Sequence, residues 1–81
     1  MLHVVAMTLD RAALAVPVVV RTATGAPDVR RRLGELGLRR GATVTCLRRT
    51  SGGGRLLDVA GTRVAVGADV LSAIEIEDVR G

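Results

Sequence analysis

The stretch DVRRRLGELGLRRGATV, residues 28–44, decides the fold of this chain. Within it, Val29, Leu33 and Leu36 recur at i, i+4 and i+7, the spacing that places apolar side chains on one face of a helix. The pattern predicts a helix over Asp28 to Leu36 whose apolar stripe closes one end of a small core. The residues after it begin to alternate, so the stretch joins a helix to a strand through a short connection.

Both ends of this helix carry the residues that helix ends require. Pro27 fits the first helical position, and the Asp28 carboxylate lies at the positive end of the helix dipole. Gly37 follows the last apolar position, where a residue in the left-handed conformation commonly ends a helix. We expect the next side chain, Leu38, to plug the end of the core before Gly41 leads the chain into the strand.

Working outward from the helix, short apolar or alternating runs bounded by turn residues predict five strands. Pro17 cannot donate to a ladder, so the first strand begins near Val18 or lies at an edge until then. A helical turn is expected before it, within Met7 to Leu14, and another within Gly67 to Ser72. The strands are predicted within residues 18–22, 43–48, 55–59, 63–66 and 73–77. Five short strands with one helix after the first predict a small, mostly β barrel.

Size and composition bound the class of protein. Eighty-one residues make one domain, and its core must be aliphatic because Phe, Tyr and Trp are absent. The longest apolar run, Ala12 to Val20, has nine residues with Pro17 inside it, far below the ~20 that a membrane-spanning helix needs. Cys46 is the only cysteine, which excludes an intramolecular disulfide and suits a reducing interior. We therefore expect a soluble, cytoplasmic protein.

Charge is distributed unevenly along the chain. Residues 30–55, the basic segment, contain eight arginines and one acid, Glu35, for a net charge of +7. The remaining residues have four arginines and seven acids, for −3, and the two parts give the net charge of +4. Lysine is absent. Because the arginine fork suits carboxylate and phosphate partners, the basic segment is interpreted either as a solvated face or as a partner-binding patch.

Residues that could carry catalysis are scarce. No sequence spacing is typical of a nucleophile with its general base. The single histidine, His3, and the single cysteine, Cys46, are too few ligands for a closed zinc site. The loop Ser51 to Gly54 lacks the Lys-Ser/Thr pair and the helix that follow a phosphate-cradling loop. Cys46 alternates with Val44, which indicates a small buried side chain rather than a reactive thiol. The sequence predicts no enzyme, metal site or cofactor, and binding of another macromolecule is the expected function.

The central run resembles the signature of the FeoA family, small accessory proteins of bacterial ferrous iron transport. In that signature a basic helix ends in Arg-Leu-x-x-Leu-Gly-Leu, and a short gap, a glycine and a valine-containing strand follow. The segments at residues 7–9, 61–66 and 73–76 also resemble family segments. The positions that match the central motif, and that the resemblance marks as structural, are Arg32, Leu33, Leu36, Gly37, Leu38, Gly41 and Val44.

The resemblance carries expectations about fold, partner and site. It implies an SH3-like barrel over residues 7–81, preceded by residues 1–6, which are interpreted either as an N-terminal extension, with no strand predicted there, or as a mis-assigned beginning. It implies a role in binding and regulating the FeoB-type iron permease, with the permease's cytoplasmic G domain a plausible contact at the inner face of the membrane. At family level it also implies an association with transition metal ions. The arginines expected to be free for docking an acidic partner surface are Arg30, Arg31, Arg39 and Arg40, while Arg32 is expected to cover the apolar stripe with its aliphatic stem.

Two other functions stay open at this point. The basic segment would also suit a small nucleic-acid-binding barrel, although the absence of aromatic side chains counts against single-strand readers, which stack bases. Similar domains form the C-terminal part of iron-dependent repressors, and this chain has no helix-turn-helix, so it would be a detached copy. Two departures from the family pattern, Ala65-Val66-Gly67 and the glycines of Gly52 to Gly54, fall in loops that could face a partner.

Overall fold

A single antiparallel sheet of six strands organises the chain. The computed structural model describes residues 3–80, with side chains described for residues 7–77. The strand order across the sheet is β1-β6-β2-β3-β4-β5. The helices and strands are β1 (His3–Thr8), β2 (Pro17–Ala23), α1 (Pro27–Glu35), β3 (Thr43–Arg49), β4 (Arg55–Val59), β5 (Thr62–Val66), α2 (Ala68–Leu71) and β6 (Ile74–Arg80). The mostly β class with one short helix after an early strand is confirmed.

The N-terminal segment is where the structure differs most from the sequence analysis. The strand β1 takes in residues 3–6, which had been assigned to an extension without expected structure. Its partner is β6, with Ala6 opposite Glu77 and Met7 opposite Ile76. This pairing joins residues about 70 positions apart, and such a contact leaves no periodic signal in the short run that forms the strand. The sheet therefore has six strands where five were predicted.

The core is formed mainly by the inward-facing side chains of the sheet, and α1 contributes one buried side chain, Leu33. Strand β4 alternates as predicted, with Leu57 and Val59 buried, and Ile74 and Ile76 of β6 are fully buried as well. The other buried hydrophobic side chains are Leu9, Ala12, Val20, Leu33, Leu38, Val44, Cys46, Val66 and Leu71. Since none of these is aromatic, branched aliphatic side chains fill the interior, as the composition required.

The end of α1 fixes how the helix meets the sheet. The amide of Leu38 donates to the carbonyl of Leu33 at 2.8 Å, and that of Gly37 donates to the carbonyl of Gly34 at 3.1 Å. With Gly37 at φ +86°, these bonds form a Schellman motif. The same motif brings Leu38 and Leu33 together, and both are buried. Leu36, expected in the apolar stripe, is instead 36% exposed, because the reversal at Gly37 lets Leu38 take the core position.

Candidate partner-binding surface

The basic segment forms most of the exposed positive charge of the domain. Seven of its eight arginines are exposed, and the exception, Arg55, is 6% exposed. With Glu35 also exposed, the surface part of the segment carries seven positive charges and one negative charge, or +6. The exposed arginines are Arg30, Arg31, Arg32, Arg39, Arg40, Arg48 and Arg49. Burial of one arginine thus lowers the exposed charge of the basic segment from the expected +7 to +6.

The arginines of α1 point away from the core in different directions. Leu33 faces inward, so at 100° per residue Arg31 lies nearly opposite it, and Arg30 and Arg32 lie on its two flanks. Arg31 and Arg32 line a groove of about 570 Å³ between α1 and the chain from Ala65 to Val70. Arg32 was expected to cover the apolar stripe; in the structure its side chain is exposed at this groove.

Two further arginines sit just beyond the C-terminal end of α1. The Arg39 Nε donates to the carbonyl of Gly34 at 3.2 Å, so this side chain adds a second hydrogen bond to a carbonyl that already accepts the Gly37 amide. A cation there also interacts favourably with the negative end of the helix dipole. Arg40 is exposed. Among the side chains that the structure describes, Arg30, Arg31 and Arg40 make no hydrogen bond to protein, whereas Arg39 has a structural role that its sequence position did not reveal.

An apolar groove adjoins the basic surface. It has a volume of about 500 Å³ and lies between the C-terminal end of α1 and strands β4 and β5. Leu36, Val59 and Val64 contribute its apolar walls, and Leu36 and Glu35 border both grooves. The exposed Leu36 therefore places an apolar contact beside the arginines of the helix. Buried apolar area next to complementary charge is the usual composition of a protein–protein interface.

The structure also shows where Cys46 lies and whether His, Cys, Asp and Glu side chains come together at a metal site. The Cys46 side chain is fully buried, with its Sγ 3.8 Å from the carbonyl oxygen of Leu9. The prediction of a small core side chain is therefore confirmed. The His3 side chain lies outside those described. Among the described residues, no three His, Cys, Asp or Glu side chains come close enough together to hold a metal ion.

Comparison with known proteins places the chain in a family. The FeoA domain model matches residues 7–78, nearly the whole chain. The chain belongs to the FeoA family. The family is associated with iron uptake, and the domain is a non-enzymatic accessory domain. The central motif identified from residues 29–44 is thus confirmed as a family resemblance.

Solved structures agree with this assignment. A crystal structure of the iron uptake regulatory protein FeoA superposes with a TM-score of 0.83 at 23% identity, covering 90% of this chain and 97% of that one. Stenotrophomonas maltophilia FeoA complexed with zinc, a prokaryotic SH3 domain protein, gives a TM-score of 0.74 at 31% identity, covering 86% of this chain and 88% of that one. The SH3-like fold of this FeoA domain is confirmed.

A repressor also shares the fold. The match to a manganese-dependent transcriptional repressor has a TM-score of 0.81 at 17% identity and covers 90% of this chain but 41% of the repressor. At that identity the likeness concerns the fold alone.

No curated protein sequence matches this chain. Within residues 3–80, no helix is long and apolar enough to cross a membrane.

Proposed function

We propose that this FeoA protein acts in ferrous iron uptake by binding an FeoB-type membrane permease from the cytoplasmic side and regulating it. Family membership supports the iron-uptake setting. The observation that carries the choice of surface is the five exposed arginines of α1 and of the connection that follows it, within a basic segment whose exposed residues sum to +6. We assign the docking contacts to Arg30, Arg31, Arg39 and Arg40, with Leu36 as the neighbouring apolar contact.

Charge of this kind acts chiefly on the rate of association. A basic patch attracts an acidic partner over roughly one Debye length, ~10 Å at 0.1 M salt, and so raises the rate of productive encounters. Arginine is suited to the contact itself because its planar fork can bond a carboxylate through two donors. We therefore expect the permease surface to present carboxylates, and we expect complex formation to slow as the salt concentration rises.

The four arginines differ in how cleanly they can be tested. Replacing Arg39 also removes the bond to the carbonyl of Gly34, so a loss of binding could reflect a frayed helix end. Arg30 and Arg40 are exposed and make no side-chain hydrogen bond to the described residues, which leaves the domain intact when they are replaced. The informative variant is therefore Arg30→Ser with Arg40→Ser.

A matched control is available elsewhere on the domain. Arg21 and Arg63 are also exposed and lie outside the basic segment, so replacing both by Ser lowers the net charge by the same two units, from +4 to +2. Binding to the detergent-solubilised permease is measured by surface-immobilised kinetics at low and physiological salt. We expect the Arg30/Arg40 variant to associate about tenfold more slowly, with a weaker salt dependence than the parent. The Arg21/Arg63 variant should stay close to the parent.

Equal loss of association rate in the two double variants would show that net charge, not this surface, drives binding, and would overturn the assignment of the docking contacts.

The regulatory role is tested by a separate measurement. Ferrous iron uptake into vesicles containing the permease is followed with and without saturating protein, and an unchanged rate would overturn the regulatory role while leaving binding in place. If the parent bound duplex or single-stranded nucleic acid and not the permease, the nucleic-acid alternative would replace this proposal.

A further inference from the structure

A third cavity lies on the part of the domain that holds the hairpin between β3 and β4. It has a volume of about 580 Å³, within the range of small-molecule sites. It is bounded by the 3₁₀ turn after β1, the hairpin loop and the first residue of α2. Its lining residues are Asp10, Arg49, Thr50, Gly53, Gly54, Arg55 and Ala68. Most of these offer hydrogen-bond donors, and two of them are arginines.

Arg55 is the unusual residue of this cavity, because an arginine is rarely buried without a charged partner. Its side chain is 94% buried, and its Nη1 donates to the carbonyl of Ala12 at 2.5 Å. A guanidinium group has five N–H donors, and this bond uses one of them. No other hydrogen bond from Arg55 to a described residue is formed. No unbonded side-chain nitrogen among the described residues is fully enclosed, so the remaining donors of Arg55 stay accessible, and Arg55 is part of the cavity lining.

The one carboxylate in the described lining of the cavity, that of Asp10, makes no hydrogen bond to Arg55. Asp10 lines the same cavity, yet its Oδ1 accepts a hydrogen bond from the Thr8 hydroxyl and none from Arg55. Arg49, the cross-strand partner of Arg55, also lines the cavity, so its walls contain two positively charged residues and one negatively charged residue. A buried charge without a counter-ion is costly, and a bound anion that accepts from both guanidinium groups would offset that cost.

The hairpin loop between β3 and β4 packs closely at two glycines that line the cavity, Gly53 and Gly54. A Cβ at Gly54 would lie 2.6 Å from the Thr50 Oγ1 and 2.8 Å from the carbonyl oxygen of Val66. A Cβ at Gly53, where φ is +82°, would lie 3.3 Å from the Cβ of Ala68. A side chain does not fit at Gly54 and would be strained by the positive φ at Gly53, so the loop packs closely against β5 and α2. The loop residues Thr50, Gly53 and Gly54 line the cavity together with the two arginines, and the Thr50 amide donates to the carbonyl of Gly54 at 2.9 Å.

We infer that this cavity binds a small oxyanion of the phosphate or carboxylate class, held by the guanidinium groups of Arg55 and Arg49. Arginine forks bond such oxyanions through two parallel N–H donors, which matches the donors that Arg55 leaves unused. The site is independent of permease binding, since it needs neither the helix arginines nor the apolar groove. Two of its lining residues, Gly53 and Gly54, belong to the hairpin loop where this chain departs from the family pattern.

The experiment uses the whole protein with inorganic phosphate and acetate titrated separately, at constant ionic strength held with chloride. Amide chemical shifts of Thr50, Gly53 and Gly54 are followed in ¹⁵N-labelled protein. We expect saturable shifts confined to these residues and their neighbours, from phosphate if the site takes phosphoryl groups and from acetate if it takes carboxylates. Shifts from neither anion would overturn the inference.

Variants separate a built site from general charge screening. Arg49→Ser should weaken anion binding about tenfold or more, because a charge-assisted hydrogen bond is lost. Arg48→Ser is the matched control: it removes the same charge from the neighbouring exposed position, which does not line the cavity. Asp10→Asn should tighten binding several-fold by removing the opposing charge. Equal weakening by Arg48→Ser and Arg49→Ser would mean screening alone and would refute the site.

Arg55 itself is tested with a conservative change. Arg55→Lys keeps the charge but loses the fork, so a folded variant should bind the anion at least about tenfold more weakly. If it does not fold, the Arg49, Arg48 and Asp10 variants decide the matter. A folded Arg55→Lys variant that binds as tightly as the parent would contradict the role given to the guanidinium.

Discussion

Replacing Leu33 by Ala tests the junction between α1 and the sheet. The side chain is 1% exposed, and its carbonyl accepts the bond that ends the helix, from the amide of Leu38 at 2.8 Å. Because the Schellman motif holds Leu38 in place, the neighbouring chain cannot move far to fill the space. We therefore expect a loss in the middle of the usual range for buried leucines, about 3–4 kcal/mol of the free energy of unfolding.

That loss is large for a domain of this size. Typical stabilities correspond to about 4–12 kcal/mol for 81 residues, and each kcal/mol lowers the Tm of such a domain by about 4–8 °C. Thermal unfolding followed by circular dichroism should thus show a Tm about 12–30 °C below the parent. Leu36→Ala is the control, since it makes the same change on the same segment at a side chain that is 36% exposed. If both variants melted together, Leu33 would not be the anchor of the helix.

Three further outcomes are expected. Gly37→Ala and Gly41→Ala both place an alanine at a positive φ, +86° and +88°, but only at Gly37 would the added Cβ meet a neighbour, the Val59 Cγ1 at 3.2 Å. Backbone strain alone costs roughly 1–2 kcal/mol. Chemical denaturation should therefore show that Gly37→Ala lowers the free energy of unfolding by more than this, and by more than Gly41→Ala does. The Cys46 thiol should react with a water-soluble alkylating reagent much more slowly in the native protein than in denaturant, and equal rates would place it at the surface. Thermal melts with and without a strong chelator should coincide, and a fall of many degrees on chelation would reveal a structural metal ion.

Much of the fold could be predicted because its signals are local. The periodicity of Val29 and Leu33 with Gly37 at the end defined α1 to within one residue at each end, Pro27–Glu35 in the structure. Strands with clean alternation were also placed correctly, and β4 has the predicted bounds, Arg55–Val59. In each case the residues that decide the structure are neighbours in sequence, so the pattern contains the information.

The features that the sequence did not reveal depend on contacts between distant residues. Arg55 was grouped with the exposed basic residues, yet it is buried because the carbonyl of Ala12, 43 positions away, accepts its hydrogen bond. Arg39 was expected to be free, and its bond to Gly34 follows from the geometry of the helix end. Strand β1 was missed because its pairing partner is β6. Side-chain chemistry alone does not distinguish a docking arginine from one that holds two segments together.

The position of β6 in the sheet has a consequence for how the chain folds during synthesis. It is the last strand in the described chain, yet it lies between β1 and β2, the first two. Until residues 74–80 have left the ribosome, β1 has no partner strand in this sheet, and Ile74 and Ile76 are missing from the interior. The nascent chain therefore exposes apolar surface and unpaired strand edges until β6 is made, and such edges are where chains pair wrongly with one another.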